Sequence, residues 1–147
     1  MDENLNMLTL NELKRIAGNE GVPQAIVEKD YALSVALKLI AESELGDKIV
    51  FKGGTAIKKV YFEKARFSED LDFNSENMQK LEILALLSKV FTRKEVEGVK
   101  FEKIQEEPIN AGLKASLKFT SLLGQVQRIR FDFNFRQNFQ IIQLKLN

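Results

Sequence analysis

The sequence predicts a mixed β-sheet flanked by helices, an α+β or α/β domain. Two observations carry this. Apolar residues recur at a helical period of about 3.6 in residues 23–43 and 78–91, and at a strand period of two after them. Glycine and proline fall between the periodic runs rather than inside them. A third observation bounds the reading: 147 residues, 44% hydrophobic and 29% charged, fit one folded domain with a core of its own and not a disordered chain. The expected unit is a single domain over residues 1–147.

The elements follow in order. Thr9 is placed to cap a short helix, LNELKRIAGNEG, which Gly21 closes. Pro23 opens a longer helix, PQAIVEKDYALSVALKLIAES, whose Ile26, Tyr31, Val35, Leu37, Leu39 and Ile40 supply an apolar face. DKIVFKG reads as a short buried strand, GGTAIKKVYF as a turn leading into a helix, and SEDLDF as a strand. MQKLEILALLSKVF is an amphipathic helix with Ile83, Leu84, Leu87, Val90 and Phe91 inward. Four strand-like runs follow: GVKFEKIQEE, LKASLKFTSLL, QRIRFDFNF and FQIIQLKL. Turn residues separate them at Pro108-Ile109-Asn110, Gly124 and Gln137-Asn138.

Composition excludes several chemistries. The chain has no cysteine and no histidine. Disulfides, cysteine–zinc sites, His-based triads and histidine metal sites are therefore ruled out. No stretch of about 18 apolar residues occurs, and Met1–Asn4 is unlike a secretory leader, so a cytoplasmic protein with no membrane partner is expected. The net charge of +1 conceals an asymmetry. From Leu113 to Asn147 stand Lys114, Lys118, Arg128, Arg130, Arg136 and Lys145 against one acid, Asp132. That suits a phosphate-bearing partner, and equally an ordinary solvated sheet face.

Two features carry chemistry. Gly53 and Gly54 stand between a predicted strand and a predicted helix, where free N–H groups at the helix start favour phosphate, and Thr55 adds a hydroxyl. The spacing matches neither a Walker A loop nor G-x-G-x-x-G. Alone, such a triplet is also a plain tight turn. Asp70 and Asp72 are two apart on a strand, so both carboxylates are expected on one face. A hard divalent cation is their natural partner, although a solvated strand end looks the same. In RIRFDFNF the positions of Ile129, Phe131, Phe133 and Phe135 alternate with Arg128, Arg130, Asp132, Asn134 and Arg136. Asp132 is thus the one acid on a polar strand face, as a third metal ligand or as an ion-pair partner of Arg130 or Arg136.

Taken together, Gly53-Gly54-Thr55, Asp70-Leu71-Asp72 and Asp132 resemble the nucleotidyltransferase fold of the DNA polymerase β superfamily. More narrowly, VEKDYALSVAL, FKGGTAIKKVY and RFSEDLDF resemble the AbiEii/AbiGii-type toxins, which include the MenT-type transferases. The resemblance spans residues 25–75 well and 126–135 more loosely. It implies an α+β, nucleotidyltransferase-like mixed sheet. It also implies that Gly53, Gly54 and Thr55 hold the phosphates of a nucleoside triphosphate, with Arg66 and Ser68 turned toward them. Asp70, Asp72 and Asp132 would bind Mg²⁺ or Mn²⁺ and carry catalysis. Glu28, Lys29, Asp30 and Tyr31 match a helix that packs beside the site. Longer members continue into a C-terminal helical region, whereas this chain ends at QLKLN, so a minimal or C-terminally truncated form is expected.

The implied activity moves a nucleoside monophosphate to an RNA, such as a tRNA 3′ end, or to a protein hydroxyl. The setting would be a toxin–antitoxin or abortive-infection system with an antitoxin partner. The base would be Asp132 or a metal-activated hydroxide. The alternative is a non-catalytic module that binds nucleotide or a partner without turnover.

Overall fold

The computed structural model describes residues 7–51 and 70–136, the side chains at 51, 70, 76 and 136 excepted. The elements are α1 (Leu10–Glu20), α2 (Gln24–Ala41), a 3₁₀ turn (Glu44–Asp47), β1 (Ile49–Phe51), β2 (Asp70–Glu76), α3 (Lys80–Phe91), β3 (Glu95–Val96), β4 (Val99–Glu107), β5 (Leu113–Thr120) and β6 (Gln127–Arg136). The expected helix in GGTAIKKVYF and the expected strand FQIIQLKL lie outside the described residues.

Helix α1 starts where the sequence places it. The Glu12 N–H donates to Thr9 Oγ1 at 3.1 Å, and the Thr9 N–H donates to Glu12 Oε1 at 2.9 Å, a reciprocal capping box. The Thr9 N–H, and after it the Thr9 hydroxyl, which donates to Glu12 Oε1 at 3.1 Å, hold the Glu12 carboxyl below its usual range. The helix stops at Gly21, whose φ of 68° is left-handed and suits glycine.

Helix α2 departs from the one-faced expectation. Beside Tyr31, Val35, Leu37 and Ile40, it buries Val27, Ala32, Leu33 and Ala36, while Ile26 and Leu39 are only half-buried. The helix is enclosed nearly all round because the sheet covers one side and α1 with the β5–β6 turn covers another. Such a helix has no single stripe, so periodicity underestimates its core. Helix α3 keeps to its prediction, with Ile83, Leu87, Val90 and Phe91 buried and Leu84 half-buried against the core.

Six strands form one sheet among the described residues, in the order β1-β2-β6-β5-β4-β3. The β2–β6 pair is parallel and the others are antiparallel. Strand β6, last in the described chain, is therefore inserted between β2 and β5. The helices lie against one face, where Leu71, Phe73, Phe101, Phe119, Phe131 and Phe133 enter a common core. Phe73 and Phe133 stack with centroids 4.9 Å apart, and Phe91 meets Phe101 and Phe131 at 5.2 and 5.5 Å. Truncating one such phenylalanine to alanine costs about 3–5 kcal/mol. The opposite face carries the polar alternates of β2, β4, β5 and β6.

Two sets of side-chain bonds tie α2 to distant turns. The Tyr31 hydroxyl donates to the Glu97 carbonyl at 2.6 Å, and Lys38 Nζ pairs with Glu97 Oε2 at 2.8 Å. Glu97 needs the hold, since it takes a φ of 51° in the β3–β4 turn. Glu28, fully buried, accepts from the Leu123 N–H and from Gln127 Nε2, both at 2.7 Å.

Candidate functional site

The site grows out of strand parity. Leu71 and Phe73 sink toward the helices from β2, as Phe131 and Phe133 do from β6. The residues between them must then leave by the opposite face. The parallel register sets Leu71 beside Phe131, Phe73 beside Phe133, and Asp72 directly beside Asp132. The Phe73–Phe133 stack, one residue further along both strands, locks this register. A slip of either strand by one residue would drive its own acid into the core.

Asp72 and Asp132 are both half-buried on the open face of the sheet. Like charges opposed on neighbouring strands repel, so the pair calls for a cation. Asp132 forms no ion pair among the described residues. The expected arginine partner is engaged elsewhere: Arg130 Nε lies 3.6 Å from Glu107 Oε2. Asp70 occupies the β2 position paired with Arg130, two residues before Asp72. Its side chain lies outside the described set, as do Gly53, Gly54, Thr55, Arg66 and Ser68, and as does the side chain of Arg136. Their assignments stand as sequence readings only.

The structure adds a residue that sequence reasoning missed. On its far side from Asp72, Asp132 is paired in register with Lys114 of β5, and Lys114 with Glu107 of β4. One row across the sheet therefore reads Asp72, Asp132, Lys114, Glu107. Lys114 is half-buried and makes no ion pair among the described residues. The alternation in LKASLKF puts Lys114, Ser116 and Lys118 on one strand face, but nothing local says which strand lies beside it.

The donor chemistry suits a hard cation. Among the described residues no group of three acids converges on one point. Two carboxylates on one face, with no thiol or imidazole in the chain, match Mg²⁺ or Mn²⁺, since Mg²⁺ commonly takes one or two carboxylates and fills its shell from substrate phosphates and water. Beside the acid row the open face hollows into a trench of about 750 Å³ that includes Lys103, Gln105, Ser116, Arg128 and Arg130. The trench is offset toward β4 and β5. It therefore adjoins the acid pair without containing it.

Comparison with known proteins decides the family. The family model described as "Nucleotidyl transferase AbiEii toxin, Type IV TA system" matches residues 35–146. The chain belongs to the AbiEii nucleotidyltransferase toxin family. Among solved structures, this AbiEii-family chain matches the nucleotidyltransferase toxin MenT4 (Rv2826c) of Mycobacterium tuberculosis H37Rv with a TM-score of 0.64 and 22% identity. The match covers 88% of this chain and 44% of MenT4, so the chain spans less than half of that toxin's length. At this identity the likeness shows the fold, and the expected nucleotidyltransferase-like α+β sheet is the one found. No curated protein gives a sequence match. No helix among the described residues is long and apolar enough to cross a membrane.

Proposed function

We propose that this domain is a Mg²⁺- or Mn²⁺-dependent nucleotidyltransferase that moves a nucleoside monophosphate from a nucleoside triphosphate to an RNA, such as a tRNA, or to a protein hydroxyl. It would act in the cytoplasm as the toxin of a toxin–antitoxin or abortive-infection system, with an antitoxin protein as its partner. The observation that carries this reading is the register pairing of Asp72 with Asp132 on an open polar face, with Lys114 beside them.

In the proposed reaction the acceptor hydroxyl oxygen bonds to the α-phosphorus and gives up its proton to Asp132 or to solvent, the bond to the bridging oxygen breaks, and pyrophosphate leaves. Asp70, Asp72 and Asp132 would hold the divalent cation, which supplies Lewis-acid stabilisation of the charge on the phosphoryl oxygens. Gly53, Gly54 and Thr55 would seat the β- and γ-phosphates, aided by Arg66 and Ser68. The ammonium of Lys114 adds a fixed positive charge one strand from Asp132, where charge develops on the transferred group.

A second reading is motivated by the 44% span of MenT4. Groups supplied by the rest of such a toxin would be needed for turnover, and this domain would then be a non-catalytic nucleotide-binding or partner-binding module. One experiment separates the two: incubation with each α-labelled triphosphate, Mg²⁺, total RNA and cell protein. The transferase reading expects label in RNA or protein, lost in Asp72→Asn. Triphosphate binding without incorporation would establish the nucleotide-binding form of the second reading, and absence of binding would refute the transferase reading and leave only a partner-binding module.

A further inference from the structure

We propose that the trench beside the acid row seats the acceptor, and that Arg128 and Lys103 of the trench, with Lys118 paired beside Arg128, hold the backbone phosphates of a single-stranded nucleic acid. The proposal rests on the transferase reading and deepens it by giving the acceptor a place and a chemistry.

Position is the first argument. Arg128, Arg130 and Asp132 occupy alternate positions of β6, so their side chains leave one face at intervals of about 6.6 Å. Lys118 faces Arg128 across the β5–β6 pair, and Ser116 faces Arg130. A strand laid along this line would run directly into the acid pair.

Charge is the second argument. The two acids of the trench are already engaged, Glu107 with Arg130 at 3.6 Å and Glu106 with Lys80 of α3 at 3.0 Å. Arg128 and Lys103 are exposed, Lys118 is half-buried, and none of the three has an ion pair among the described residues. Lys118 and Arg128 are moreover like charges placed directly opposite one another, an arrangement that costs stability until an anion lies between them. A protein hydroxyl has no use for such cations, whereas a phosphodiester chain does. Among the described residues no aromatic side chain lines the trench, so these residues offer no platform for stacking bases. Binding should therefore run through phosphates and tolerate any base sequence.

The test is fluorescence anisotropy of a short labelled oligouridylate on the full chain, between roughly 50 and 200 mM KCl. Arg128→Ala and Lys118→Ala should each weaken binding about tenfold. Each should also flatten the log–log salt dependence by about 0.7 for every phosphate no longer neutralised. Lys89→Ala, an exposed lysine on α3 across the sheet, should bind as the wild type does. Calorimetry of Mg²⁺ with triphosphate accompanies every variant. If triphosphate binds while oligouridylate binding is absent, or is unmoved by Arg128→Ala, the trench proposal fails and the transferase reading survives. If triphosphate itself does not bind, the transferase reading fails. Capture of a hydroxyl-bearing peptide pool that depends on Arg128, with no RNA bound, would overturn the proposal in favour of a protein acceptor.

Discussion

Replacing Glu28 with alanine removes the strongest polar tie between α2 and the β5–β6 turn. Its carboxylate is fully buried and accepts two bonds of 2.7 Å, one from the Leu123 N–H and one from Gln127 Nε2. Hydrogen bonds to a charged group contribute about 1.5–3 kcal/mol each. Gln127 keeps a second acceptor, the Ala25 carbonyl at 3.2 Å, so its loss is partial. The Leu123 N–H keeps none that matches, and its unmet donor costs about 1–3 kcal/mol. The sum, with the small void left by the side chain, is about 2–4 kcal/mol. For a domain of this length each kcal/mol lowers Tm by about 3 °C, which predicts a fall of about 6–12 °C. The assay is thermal unfolding by circular dichroism together with hydrogen exchange at the Leu123 amide. Glu28→Gln should lie between wild type and Glu28→Ala, because an amide accepts from Leu123 but turns its own NH₂ toward that of Gln127. Adding Gln127→Glu gives that NH₂ an acceptor and should recover part of the loss. A Tm shift under about 1 °C, or a Leu123 amide that exchanges no faster in Glu28→Ala, would refute the reasoning.

Asp132→Asn and Asp72→Asn should each leave the apo fold intact, or raise its stability by a few tenths of a kcal/mol as the opposed charges are relieved. Each should lower nucleotide transfer at least ~100-fold, read by label incorporation; a large loss of Tm would make the residue a structural partner instead. Tyr31→Phe deletes the 2.6 Å bond to the Glu97 carbonyl and should cost about 1 kcal/mol at neutral pH. Burial, foremost among its causes, raises the Tyr31 hydroxyl above its ordinary value, so the folded state keeps a proton that the unfolded chain loses above about pH 10. Stability therefore falls as pH rises through that range, and denaturant titrations should show a shallower fall in Tyr31→Phe. Gly112→Ala would bring a Cβ to 2.7 Å from the Phe133 carbonyl oxygen at a φ of +76°, and should cost about 1–3 kcal/mol of stability by urea unfolding.

Local features were readable because local forces make them. The Thr9 cap, the Gly21 stop and the inward residues of α3 follow from hydrogen bonding and periodicity within one turn or two of chain. Strand parity likewise told that Asp132 leaves β6 by the face opposite Ile129, Phe131 and Phe133. Parity cannot extend across strands. That β6 lies beside β2, parallel to it and in the register that opposes Asp72 to Asp132, depends on the Phe73–Phe133 stack and on the rest of a shared core. Lys114 became a neighbour of Asp132 only through the β5–β6 pairing.

Sequence alone therefore nominated the residues proposed to carry the chemistry: an acid pair spaced for one strand face, a third acid on a polar face, and a glycine turn. It also determined the class of fold, since both depend on residue type and spacing. The tertiary structure decided adjacency. It enclosed α2 on nearly all sides, buried Glu28 as a clamp, and set a cationic trench next to the acids. The physical reason is that adjacency is chosen by apolar burial summed over strands far apart in the chain, a quantity that no window of sequence contains.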